Sequence, residues 1–387
     1  MEFPLQNEVH YKEEIARAGQ PLIRLYNPTY IGKNLFGKPY SDSMMQGLNE
    51  NDFYSGQWQT CDSNSVKTMS AIGYYFGKRI VASEAIPVGL IHLAIGGCPL
   101  ETFISRQTLA ASKQFASKVS GNWLQNDALP VWVKQRGAEN ISKQKIIYAD
   151  DTGPAHAYKP GFAYAAGIEP VLGTAIKGVL WYQGESNSQE SERVNEYGNL
   201  LKLMINDYRI KWKQPGMPFY WVQLSSIDTT GYKSQLWPVF RDEQRKLINE
   251  ISFGGMAVCS DIGFRNNVHP TNKKEVAERL AHWALNRTYH KKNIPSEPLP
   301  VSAIYKQGNI VVSFQYADGL QTADGKLLRG FSAGDTTDLQ AFIKGNKVMI
   351  PRKDKPAYVY YGWKPFTDAN LVNKEKLPVS TFKIKTQ

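Results

Sequence analysis

The sequence predicts an α/β fold, a doubly wound and mainly parallel sheet followed by a small β-rich domain. Three observations carry this expectation. Apolar runs of strand length alternate with segments of helical periodicity from about residue 66 to residue 287. The alternation stops near "KKNIPSEPLP", after which short β-rich runs are separated by Gly, Asp and Pro. The chain has 387 residues, 42% of them hydrophobic, which is more than one ordinary core holds. The expected division is 1–293 for the α/β part and 294–387 for a β-sandwich-like domain.

Residues 1 to about 60 read as irregular, polar and aromatic. "VKTMSAIGYYFGKRIVAS" sets Met69, Ile72, Tyr75, Phe76 and Ile80 at helical spacing. "IPVGLIHLAIGG" is a short apolar run stopped by two glycines, a buried strand that ends in a turn. Residues 106–148 read as helical and amphipathic. "EPVLGTAIKGVLWYQGES" reads as a helix end, a strand and a polar loop. The helix "NEYGNLLKLMINDYRIKW", the strand "PFYWVQLSS", the helix "WPVFRDEQRKLINE", the strand "GGMAVCSDIG" and the helix "KKEVAERLAHWALNR" follow. "NIVVSFQYA", "KVMIP" and "AYVYYGW" are the clearest C-terminal strands.

The formal net charge is +11, yet Lys and Arg are scattered and no run of five like charges occurs. That pattern speaks against a nucleic-acid partner and is compatible with anionic glycans. Cys61, Cys98 and Cys259 are far apart, odd in number and without metal-ligand spacing. No apolar stretch approaches the length of a membrane span. "MEFPLQNEVHYKEE" does not read as a signal peptide.

Three stretches could carry chemistry. In "WYQGESNS" a core strand ends in Gln183, Gly184, Glu185, Ser186 and Asn187. Loops at strand ends hold the chemistry of α/β enzymes, and Ser186 or Asn187 could equally cap the next segment. In "NNVHPTNKKEVAERLA", His269 precedes a helix that Thr271 or Asn272 can cap, and a histidine there can act as a general base. In "AIGGCPLETFIS", Gly96 and Gly97 allow close approach of the backbone, whose N–H groups could face an oxyanion.

Together these stretches resemble the sialate O-acetylesterase family of the SGNH hydrolases. "PVGLIHLAIGGCPLETFIS" is similar to the family's glycine block, "KGVLWYQGESNS" to its most specific signature and "VHPTNKKEVAERLA" to its histidine block. "PFYWVQLSS", "WPVFRDEQ", "VYYGW" and "LVNKEKLPVSTFK" also resemble family segments, so the resemblance covers nearly the whole chain. It implies a flavodoxin-like three-layer SGNH domain and a serine esterase that removes O-acetyl groups from sugars through an acyl-serine. It implies no cofactor and no metal, an O-acetylated sugar or glycan as partner, no nucleic acid, no membrane, and a periplasmic or secreted location. Carried onto this sequence, His269 is the base, Gly97 the backbone oxyanion donor and Gln183 the side-chain amide donor. Glu185 then orients the loop or a sugar hydroxyl.

Two departures stand out. The family commonly has an aspartate three residues before the histidine, and here that position is Asn266. The supporting acid is then Asp261 or Glu185, or the site works as a dyad. The family's nucleophile also lies in a Gly-Gln-Ser-Asn-Met block, and "MEFPLQ" resembles the family's sequence immediately C-terminal to that block. The expectation is a chain truncated just after it, with the serine and the first strand upstream of Met1. A sheet without that strand is expected to have an exposed edge or a gap in its middle. It is also expected to be less stable than an extended chain. The alternatives are a glycan-binding pseudoenzyme on the same fold and Ser186 as a substitute nucleophile, though a cap better explains Ser186.

Overall fold

The computed structural model describes residues 1–141, 144–228 and 233–387. The first sixty residues are not irregular. Gln20–Tyr26 forms strand β1, with Ile23 and Leu25 buried and Arg24 exposed between them. The alternation covers only Ile23 to Leu25, so its period is hard to see in the sequence. β1 pairs antiparallel with β2 (Trp58–Cys61).

Helix α1 (Ala71–Glu84) begins where Ser70 Oγ accepts from Gly73 N at 3.2 Å, an N-cap. It buries Ile72, Tyr75 and Ile80, as their spacing predicts. β3 (Val88–Ile91) then pairs parallel with β1. Residues 106–148 are helical only in pieces, at Arg106–Ala111, Ala116–Val119 and α2 (Val131–Ile141). Residues 142 and 143 of that stretch lie outside the described residues.

The second half has the predicted order: β4 (Val179–Trp181), α3 (Ser191–Lys211), β5 (Phe219–Val222), α4 (Trp237–Lys246), β6 (Gly254–Ala257) and α5 (Lys274–Trp283). β4, β5 and β6 are parallel, with β5 in the middle. Neighbouring residues of a strand face opposite sides of a sheet. A Cβ at Gly255 would meet Trp283 of α5, and one at Gly254 would meet Trp221. Trp221 in turn donates its indole N–H to Gln244 O on α4 at 3.0 Å. This half-sheet is therefore covered by helices on both faces.

The sheet is split. β2-β1-β3 and β6-β5-β4 are separate three-stranded ladders, with no β3–β4 pairing among the described residues. One cavity of about 1140 Å³ lies between them, lined by Val88–Ile91 from β3 and Val179–Trp181 from β4. This explains why β3, expected to be buried, is only half covered. α1 packs on β1, β3 and α5, while α5 packs on β5 and β6, so the two helices bridge the halves on one side.

Beyond Leu299 the chain is antiparallel β. β7 (Leu299–Lys306), β8 (Asn309–Gln315), β10 (Phe342–Lys344) and β11 (Lys347–Pro351) make one sheet. β9 (Phe331–Ala333), β12 (Tyr358–Tyr361) and β13 (Phe382–Lys385) make another. Val312 and Ile350 of the first share one buried cluster with Phe331, Val359 and Phe382 of the second. This strand-rich region is fastened to the α/β part through α4. The buried Arg241 guanidinium donates to Ser226 Oγ and to the carbonyls of Gly362, Lys364 and Pro365. Gln223 accepts from Thr381 N at 3.2 Å, and Asp242 accepts from Lys383 N at 3.2 Å.

Two buried histidines make the fold acid-sensitive. His156 stacks between Tyr40 and Trp123, and its Nδ1 accepts from Tyr158 N at 3.0 Å. His92 Nδ1 pairs with Asn27 Oδ1 at 2.7 Å. Burial pushes both down to about 3. The unfolded chain takes up these protons near pH 6.5 and the folded chain does not, so stability is complete above pH 6.5 and falls as pH drops toward 3. The expected loss by pH 4 is roughly 2–3 kcal/mol for each histidine. Urea midpoints at pH 7 and pH 4 measure it, and the slope should shrink in His156→Gln.

Candidate active site

The loops after β3, β4 and β6 meet at one end of the cavity. After β4 the chain passes through Gly184 at φ 144°, where a Cβ would lie 2.4 Å from the Phe240 ring. A 3-10 turn over Glu185–Asn187 comes next. Most of the polar groups here brace the loop. Gln183 Nε2 donates to Asn187 Oδ1 at 2.7 Å and to Cys98 O at 3.2 Å. Ser186 Oγ also donates to Cys98 O, at 3.1 Å. Asn187 Oδ1 accepts from Leu100 N, and its Nδ2 donates to the buried Glu101, which pairs with Lys118 at 2.8 Å. These bonds stitch the β4 loop to the glycine turn across the split sheet. The amide of Gln183, expected to face an oxyanion, instead holds the turn that contains Cys98, because two acceptors converge on its N–H groups.

In that turn Gly96 N donates to Tyr30 Oη at 3.2 Å, and Tyr158 Oη donates to Gly96 O at 3.1 Å. Gly97 lines the cavity, and its N–H has no partner among the described residues. Its φ is +72°, and a Cβ there would lie 2.6 Å from Tyr158 Oη. Gly97→Ala is expected to destabilise the fold by roughly 1–3 kcal/mol. Urea denaturation checks it, and an unchanged midpoint would mean that the turn adopts another conformation.

His269 sits on the loop after β6. Its N–H donates to Asn267 Oδ1 at 2.8 Å, a turn that fixes the backbone just before Pro270. Asn267, not Asn266, supplies this bond, and Asn266 is exposed. Asn272 Oδ1 accepts from Glu275 N at 3.3 Å at the start of α5. His269 is exposed on the side that lines the cavity. Protein packed around the rest of the ring partly desolvates it and lowers its pKa, Glu185 acts to raise it, and Lys273 and the Met1 amine lower it further. Glu185 is thus the main stabilising charge for an imidazolium.

Asp261, the other candidate acid, is engaged elsewhere. Its carboxylate pairs with both terminal nitrogens of Arg279, at 2.6 and 2.7 Å, and it does not line the cavity.

Sequence reasoning missed several groups here. Lys273 is buried with its ammonium 4.9 Å from the Phe3 ring and 5.2 Å from the Tyr182 ring, and burial lowers it to about 8. Glu2 accepts from Tyr30 Oη at 2.7 Å, and the Met1 amine donates to Tyr182 O at 3.0 Å. None of these has a local pattern to mark it. Among the described residues no group of three or more His, Cys, Asp or Glu could hold a metal ion. The three cysteines are buried and free.

The chain is similar to known esterases. The family described as "Carbohydrate esterase, sialic acid-specific acetylesterase" matches residues 158–286, a span that contains Gln183, Glu185 and His269. The sialate O-acetylesterases of Homo sapiens and Pongo abelii are each 26% identical over 296 residues, which is 70% of this chain and 50% of theirs. The chain therefore spans about half the length of these curated relatives. A solved carbohydrate acetylesterase from Xanthomonas citri superposes with a TM-score of 0.76 at 27% identity, covering 100% of this chain and 78% of that one.

Proposed function

We propose that this chain, a member of the sialate O-acetylesterase family of carbohydrate esterases, acts as a carbohydrate O-acetylesterase. The observation that carries this reading is that His269, Glu185 and Gly97, from three different loops, line one cavity. In the proposed reaction a serine hydroxyl attacks the acetyl carbonyl and His269 takes its proton. Glu185 stabilises the imidazolium, and Gly97 N–H donates to the oxyanion. His269 then returns the proton to the departing sugar oxygen, and water releases acetate from the acyl-serine. Gln183, Ser186 and Asn187 hold the β4 loop and the glycine turn in register.

We read the fold as the three-layer SGNH arrangement. The attacking serine would stand in the cavity between β3 and β4, within reach of His269. The test is fluorophosphonate labelling of the protein from its native source, with peptide mapping and an acetate-release assay on O-acetylated sugars. The expected result is acetate release and an adduct on a serine other than Ser186, whose hydroxyl is engaged with Cys98 O. An adduct on Ser186 would relocate the nucleophile, and neither adduct nor acetate would overturn the esterase reading.

A further inference from the structure

The cavity holds a cation to which the proposed acetyl transfer gives no task. Lys273 is 3% exposed and lines the cavity that His269 and Gly97 also line. Its ammonium rests against two aromatic rings, 4.9 Å from the Phe3 centroid and 5.2 Å from the Tyr182 centroid. Among the described residues no carboxylate or carbonyl is hydrogen-bonded or ion-paired with that ammonium. The carboxylates whose charge reaches it are those of Glu185 and Glu8. Glu8 spends its Oε2 on Tyr75 Oη at 3.1 Å and His10 N at 2.6 Å. Glu185 acts on His269 as well.

A buried ammonium without a paired anion is costly, and aromatic faces offset only part of that cost. A small anion in the cavity would offset more, through charge-assisted hydrogen bonds. The rings decide which kind. A carboxylate can place its oxygens on the ammonium and a short apolar tail on Phe3 and Tyr182. An ion that is polar on every side would lose water against those faces without replacing it. The proposed reaction makes a fitting ligand. When water cleaves the acyl-serine, His269 passes the water's proton to the serine oxygen. The acetic acid that forms loses its own proton to solvent, and acetate is left in the cavity. We propose that Lys273 forms a subsite for a short-chain monocarboxylate, and that acetate held there slows the next turnover. This rests on the esterase reading for the ligand's identity and adds product inhibition to it.

The test is binding, so it does not depend on turnover. Calorimetric titration at constant ionic strength compares sodium acetate with acetamide, which has nearly the same shape and no charge. It uses the unaltered protein and the variants Lys273→Met and Lys273→Arg, each first checked by thermal melting. Acetate is expected to bind with a Kd of roughly 1–10 mM, and acetamide at least about tenfold more weakly. Lys273→Met should weaken acetate binding at least about tenfold, and Lys273→Arg, which keeps the charge, should retain part of it. Acetate should also inhibit hydrolysis of 4-nitrophenyl acetate, read as nitrophenol, with an inhibition constant equal to its Kd. In Lys273→Met the rates with and without acetate should converge. Equal acetate affinity in the unaltered and Lys273→Met proteins overturns the proposal. So does equal binding of acetate and acetamide, or no acetate binding at tens of millimolar. Either result leaves the esterase reading standing. Lys273-dependent acetate binding without acetate release from any O-acetylated sugar would sink the esterase reading and keep the subsite.

Discussion

Replacing His269 with Gln is expected to cut acetate release by about 10³–10⁴-fold while leaving the fold intact. The side chain faces the cavity and makes no hydrogen bond through its ring among the described residues, so its loss leaves no buried group unpaired. Glutamine keeps the size and a hydrogen-bonding end but cannot accept the serine proton. The pH profile gives a second readout. Because partial desolvation by the surrounding protein lowers the His269 pKa, the neutral base is already present below its ordinary value of 6.5. Acetate release should therefore rise with pH and level off below 6.5. Glu185→Gln should move that rise to still lower pH, because it removes the charge that favours the imidazolium. A His269→Gln protein with more than a tenth of the normal rate, and normal melting, would remove this residue from the chemistry.

The largest stability effect is expected at Arg241. Its cation is fully buried with no paired carboxylate among the described residues, and that burial lowers its pKa to about 9. What compensates is the ring of acceptors from Ser226, Gly362, Lys364 and Pro365. Arg241→Met removes the donors and strands several carbonyls at the seam between the α/β part and the strand-rich region. The expected cost is roughly 3–5 kcal/mol. A urea titration monitored by intrinsic fluorescence measures it, and a loss under about 1 kcal/mol would mean that water or a neighbour replaces the guanidinium.

How much of this is legible in the sequence depends on the range of the interaction. The β4–α3–β5–α4–β6–α5 series arises from local period, which places each element within a few residues. β1 escapes such a reading, because its alternation covers only Ile23 to Leu25 and its partners lie more than thirty residues away. Gly97 and His269 stand out because a turn and a loop need those residue types. Asp261 looks like a catalytic acid by position along the chain, but Arg279 claims it from the next helix, a pairing that no local pattern announces. Gln183 reads along the chain as facing a ligand. Its acceptors on Cys98 and Asn187 appear only once two loops from different strands are folded together. Lys273 lies in the histidine block without standing out there, and only the cavity it lines gives it meaning.

The split sheet also has a signature in hydrogen exchange. In a parallel strand, alternate amides point to opposite neighbours. His92 N donates to Tyr26 O, which turns Leu90 and Val88 toward β1 and leaves Gly89 and Ile91 facing the cavity. Val179 N donates to Pro218 O, so Leu180 N faces the cavity from the other side. Deuterium should enter β3 and β4 in a two-beat rhythm, fast at Gly89, Ile91 and Leu180 and slow at Val88, Leu90 and Val179. A strand seated between them would silence the fast beat, so the rhythm reports from within the protein whether its sheet is whole.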